Sequence, residues 1–124
     1  QPFKGVGAAL GREGEGARLR VVDRRPSRPL CEDREGLRGY QEGEGRITGK
    51  LPWKAGAKVS LGGGEALTFH RFVGGVVRTA QVVEGMVEVI EAPTAPGQRG
   101  TVRLKGTHSE GGAVAGVVEV EICD

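Results

Sequence analysis

Apolar and polar side chains alternate with a period of two along most of this chain, the spacing of strands with one buried and one wet face. The clearest case is the stretch 100–124. Val102, Leu104 and Gly106 share a face opposite Thr101, Arg103 and Lys105. Val114, Gly116, Val118, Val120 and Ile122 share a face opposite Val117, Glu119 and Glu121. The polar stretch 107–112 between them ends in Gly-Gly. The pattern therefore predicts a hairpin that sets even positions against even ones, with Leu104 over Gly116 or Val114. Cys123 follows Ile122 directly, which places it on the outer face or just past the strand end.

Upstream, the same period predicts Ala17, Leu19 and Val21 facing in, with Arg18, Arg20 and Val22 facing out. Ile47, Gly49 and Leu51 alternate with Arg46, Thr48 and Lys50, and Ala57, Val59 and Leu61 with Lys58 and Ser60. Residues 65–73 depart from the rule. Leu67, Phe69 and Val73 lie on one face with Arg71, whereas Ala66, Thr68, His70 and Phe72 make a second, partly apolar face. A strand with two apolar faces needs cover on both. The run that follows is expected to split near Glu84-Gly85 or to bend there by a bulge. Val83, Val87 and Val89 would then face the core and Val82, Met86 and Ile90 the other side. His70, Phe72, Val82, Met86 and Ile90 are together a candidate second apolar face.

Residues 1–11 carry one side-chain charge, Lys4. Val6, Ala8 and Leu10 fall on one face and Phe3, Gly5, Gly7 and Ala9 on the other, and the glycines argue against a helix. An extended segment with so little charge is expected to pair with a sheet edge, in its own subunit or in a neighbour's. Phe3, Val6, Ala8 and Leu10 are its candidate assembly side chains. Between the strands, Arg24, Arg25, Pro26, Ser27, Arg28 and Pro29 break the pattern. The irregular stretch 30–45 then follows, with one helical turn expected around 32–37, and Leu37, Tyr40 and Cys31 available to tie it down.

About nine short strands, at spacings of roughly ten residues with turn signals between them, predict an all-β fold. A two-sheet antiparallel β-sandwich is the first expectation and a closed β-barrel the second. The chain has 124 residues, a length suited to one domain. Residues 12–124 are read as that domain, and residues 1–11 as an extension open to exchange between subunits.

Composition narrows the setting. The 23 glycines sit in ones and twos, with one run of three, between β-branched runs, which marks turns and not a collagen repeat. Asn is absent and Arg outnumbers Lys 13 to 5, which suits a bacterial host with a GC-rich genome and exposure to heat. Two widely separated cysteines, Cys31 and Cys123, fit one long-range disulfide better than a metal site, which needs close ligand pairs. The opening Gln1-Pro2 without Met reads as a chain trimmed of a signal peptide. No apolar run is long enough for a membrane span. Secretion or display at the cell surface is the expectation. The net charge of +2 divides into +5 over residues 1–60 and −3 over residues 61–124, an asymmetry that suits head-to-tail contact between copies.

Catalytic chemistry finds little purchase. Thr107, His108, Ser109 and Glu110 include the residue types of a hydrolase triad, but neighbours in one turn cannot converge as nucleophile, base and orienter. His70 and His108 lack ligand spacing for a metal. Gly62-Gly63-Gly64 and Gly5-Val6-Gly7 precede no helix and match no phosphate-binding motif. Glu119 and Glu121 lie on one strand face, where cross-strand pairing with Thr101 and Arg99 is the simpler role. No enzyme activity, cofactor or metal is expected.

Arg18, Arg20, Arg24, Arg25 and Arg28 form the strongest surface feature, a basic group suited to an anionic glycan or to the acidic half of another copy. No aromatic side chains interleave with it for base stacking, so nucleic acid is not expected. Trp53 at a strand end is a core plug or loop anchor, or else a sugar platform.

The leading expectation is an extracellular structural subunit, a homo-oligomer whose N-terminal strand adds to the sheet edge of the next copy to build a fibre or lattice. In design it resembles donor-strand-complemented pilins, which also combine a sandwich, a disulfide and an apolar N-terminal extension. Its wide cysteine spacing departs from that family. The alternative is a monomeric secreted module that binds a glycan or protein partner through the 24–45 loop and Trp53.

Overall fold

The computed structural model describes residues 3–13, 16–24, 30–32, 42–60, 67–80, 82–108 and 112–123. They form ten strands: β1 (Phe3–Lys4), β2 (Gly7–Glu13), β3 (Gly16–Val22), β4 (Gly45–Leu51), β5 (Lys58–Ser60), β6 (Leu67–Val73), β7 (Val76–Ala80), β8 (Val82–Glu91), β9 (Arg99–His108) and β10 (Ala113–Ile122). The one helical element among the described residues is a 3-10 turn, Leu30–Glu32. It stands at the start of the turn expected around 32–37, and residues 33–41, with Leu37 and Tyr40, lie outside the described residues.

The strands form a single sheet in the order β5-β8-β9-β10-β2-β3-β4-β6-β7, with β1 alongside β10. The sheet is a curled, open half-barrel, and the expected two-sheet sandwich is not confirmed. The physical reason is the position of β2. Without it the pairing would fall into two groups, β5-β8-β9-β10 and β3-β4-β6-β7. β2 runs parallel to β10, with Ala8 opposite Val120 and Leu10 opposite Ile122, and antiparallel to β3 on its other side. Seven residues near the start of the chain thus join two would-be sheets into one. The sheet is mixed for the same reason. Nor is it a closed barrel, because β5 and β7 are its two ends and do not pair with each other.

Period-two patterning places the core as expected over most strands. Leu19, Val21, Ile47, Leu67, Phe69, Val87, Val89, Val102, Leu104, Val118 and Val120 enter one cluster on the inner face. The terminal hairpin has the expected register, with Gly116 opposite Leu104 and Val118 opposite Val102. The run after β7 carries a bulge between Val82 and Glu84, close to the expected bend.

One phase expectation fails. Strict alternation sets Phe3 on the face opposite Ala8 and Leu10, yet all three lie in the inner cluster. The break at Gly5-Val6 between β1 and β2 shifts the phase, leaving Val6 51% exposed. β10 matches that break at Gly116, whose φ of +135° suits glycine. The Phe3 ring, fully buried, then meets the Phe69 ring edge-on at 5.3 Å, a favoured aromatic geometry.

Candidate functional site

The disulfide expected from the two cysteines is present between Cys31 and Cys123, with Cα atoms 5.3 Å apart. Cys123 lies just past β10, and its N–H donates to the Leu10 carbonyl at 2.9 Å. With Ala9, Val22 and Leu30, the bridge forms a second small apolar cluster separate from the main core. The staple therefore pins the 3-10 turn over β2 and β3.

Three of the five arginines of the basic group, Arg18, Arg20 and Arg24, lie in the described residues. Arg18 is exposed and stands opposite Lys50 across β3 and β4. Arg20 is half-buried and donates through Nη2 to the Leu30 carbonyl at 2.6 Å, so its guanidinium helps hold the 3-10 turn. Arg24 is half-buried. Arg25 and Arg28 lie outside the described residues.

The residues of the candidate second apolar face are spread over two strands, β6 and β8. His70 and Phe72 are half-buried on β6, whereas Met86 is exposed and Ile90 half-buried on β8. β9, β10, β2, β3 and β4 lie between those strands. The side chain of Val82 lies outside the described residues. A shallow hollow of about 670 Å3 opens beside Met86, lined also by Glu84, Glu88, Arg103 and Lys105. The Glu88–Arg103 pair, at 3.5 Å, forms part of its lining.

Other candidates have structural work. Trp53 Nε1–H donates to the Pro93 carbonyl at 2.7 Å, and its ring covers Gly100, where an added Cβ would stand 2.6 Å from the indole. That is the loop-anchor role. Glu119 faces Thr101 across the ladder, Glu121 faces Arg99, and Arg99 Nη1 bonds Glu119 at 2.8 Å on the surface. His70 stands opposite Thr79 and Arg46, and burial lowers its imidazole below the ordinary histidine value. The His108 side chain, Ser109, Glu110 and Gly62-Gly63-Gly64 lie outside the described residues. Among the described residues no group of three or more His, Cys, Asp or Glu is arranged to hold a metal. Among them also, no helix is long and apolar enough to cross a membrane.

Sequence reasoning missed a charged knot where β4 begins. The Arg71 guanidinium, 2% exposed, reaches Asp23 Oδ2 at 3.3 Å and the Gly43 carbonyl at 2.7 Å, and lies 5.2 Å from the centre of the Phe69 ring. Asp23 Oδ1 accepts from the Gly45 N–H at 2.8 Å. Desolvation raises the Asp23 carboxyl above its ordinary value, against the opposing pull of that hydrogen bond and of Arg71. Alongside, Arg46 Nε bonds Glu44 Oε2 at 2.5 Å with both side chains buried. One signal was available: Arg71 shares the parity of Leu67 and Phe69, so an inward charge needs an inward partner.

Beyond the knot, β6 and β7 form a hairpin closed by Gly74-Gly75, whose φ values of +62° and +79° suit a two-residue turn with both central residues left-handed. The hairpin end exposes apolar side chains, and its turn is tied to the chain before β4 by the Gly74 N–H, which donates to Glu42 Oε1 at 2.8 Å. Val73, Val76 and Val77 are 40%, 56% and 45% exposed, and among the described residues β7 pairs only with β6.

The class these features define is a disulfide-stapled all-β domain whose edge strand β7 is left uncovered by the described residues. No family model, no curated protein and no solved structure matches the chain.

Proposed function

We propose that this chain is a non-enzymatic extracellular structural subunit that joins copies of itself into a fibre or lattice by exchange of its N-terminal strand. The observation that carries this reading is the seat of β2 between β10 and β3. A neighbour's residues 3–13 taking that seat would reproduce every hydrogen bond of the sheet, which is the low-cost route by which identical chains assemble. The Cys31–Cys123 bridge supports an oxidising location, secreted or at a cell surface.

The second reading, a monomeric secreted module that binds a glycan or protein partner, draws on the same strand. In a single chain the seat is already filled from within. Sedimentation velocity across a wide concentration range, with negative-stain microscopy, separates the two. Assembly predicts concentration-dependent oligomers and filaments. A monomer at every concentration leaves the binding module.

A further inference from the structure

We propose that β7 is a docking edge that accepts an extended segment of another polypeptide as an eleventh, antiparallel strand, with a carboxylate facing Arg78 and apolar side chains facing Val76 and Val77. This holds whether the chain is a monomer or an assembled subunit.

The backbone argument comes from β6. The Phe72 N–H donates to the Glu44 carbonyl at 2.9 Å, and the Phe72 carbonyl accepts from Gly43 at 2.8 Å. With Phe72 bonded on the β4 side, the β6–β7 bonds fall at the Val73–Val76 and Arg71–Arg78 pairs. The N–H and C=O groups of Val77 and Thr79 therefore point away from β6, a ready template for pairing.

The side chains say which partner fits. Val76, Val77 and Arg78 are all exposed. Arg78 stands opposite Arg71, whose own charge is met by Asp23, and among the described residues Arg78 has no ion pair. An added strand bonded to Val77 and Thr79 would place its intervening residue opposite Arg78 in a non-hydrogen-bonded pair, the arrangement that brings side chains closest. An acidic residue there completes the cross-strand pairing that β6 does not supply. The next two residues of the partner would cover Val77 on the outer face and Val76 on the inner one.

The probe is a set of capped eight-residue peptides built around Glu-Val-Val, with counterparts built around Lys-Val-Val, titrated into the 15N-labelled full chain and followed by amide shifts. The Glu peptides should produce saturable shifts at residues 76–80. Arg78→Glu should weaken them about tenfold, the scale of turning an attractive cross-strand pair repulsive, and make the Lys peptides the tighter binders. Val77→Pro removes an outward N–H that an edge strand can lose without breaking its ladder. It should abolish binding of both sets with thermal unfolding nearly unchanged. Unresponsive residues 76–80, equal binding of the two sets, an unchanged ranking in Arg78→Glu, or peptide binding that survives Val77→Pro would each overturn the proposal. So would shifts of the same amides on diluting the protein alone, which would assign the edge to a second copy.

Discussion

At one end of the curled sheet β5 presents three residues, Lys58, Val59 and Ser60, with the lysine and serine exposed and the valine half-buried. At the other end β7 presents five, opening with two exposed valines close to the exposed Val73. Shortness and an outward lysine are the usual defences of a free edge. β5 has both, and its flank is further tied down where Ala57 and Gly56 exchange hydrogen bonds with Val89. β7 has neither. Two edges of one sheet, under the same aggregation hazard, are thus finished differently, and an edge left unguarded is the one to examine for a partner.

That contrast presupposes that β5 and β7 are the two edges of the sheet among the described residues, which depends on the N-terminal segment keeping the middle of the sheet joined. The largest test is to loosen that joint. Phe3→Ala removes a fully buried ring and should cost about 3–5 kcal/mol in chemical denaturation, with new aggregation as the β3 and β10 edges open. Replacing Cys31 and Cys123 together by Ser should cost about 2–5 kcal/mol, read as a lower urea midpoint. A smaller loss would mean that the 3-10 turn stays seated without its covalent tie.

The pH predictions probe how β6 is held against β4, and hence how firmly β7 is presented. The raised Asp23 carboxyl contributes stability that is fully present below the ordinary carboxylate value and is lost as pH rises through its folded value. Asp23→Asn should therefore gain on the wild type as pH rises through that window, measured by urea titrations at several pH values. His70 runs the other way. Its lowered value contributes stability that is present above the ordinary histidine value and lost as pH falls through the folded one. His70→Gln should flatten that slope, a smaller effect because the ring is only half-buried.

The smallest expected effect separates the edges directly. Val77→Lys and Ser60→Lys should each change stability by no more than about 0.5 kcal/mol. Only Val77→Lys should reduce binding of a hydrophobic dye, since only it interrupts an exposed apolar patch. Equal responses would erase the distinction between the two edges.

Much of this was legible in the sequence because strands with one wet face write their burial in period two. Leu19, Val21, Val102, Leu104, Val118 and Val120 are buried where alternation places them, and the hairpin register follows from the turn between β9 and β10. Cys31 and Cys123 needed only their isolation. The step from strands to sheet was not legible, because alternation says which face is buried and nothing about which strand lies alongside. β2 pairing in parallel with β10 is a contact between the two ends of the chain, and no local pattern encodes it. The phase slip at Gly5-Val6 was hidden for a related reason, since two residues of irregular backbone invert the parity of everything before them. The knot of Asp23, Glu44, Arg46 and Arg71 was obscured because each charge, read alone, looks like a solvated one. The open edge was invisible until the strand order made β7 terminal.

The parallel pairing of β2 with β10 has a mechanical consequence. The chain leading into β2 and the chain leaving β10 depart from opposite ends of that adjacent pair. Tension between those two points therefore pulls the strands past each other lengthwise and loads their hydrogen bonds together, in shear, where a hairpin pulled at its open end would unzip bond by bond. The Cys31–Cys123 bridge sits at the far end of β10, so part of the load entering there passes through a covalent bond to the turn beyond β3. The joint that makes one sheet out of two is thus also one that tension between those points loads in shear.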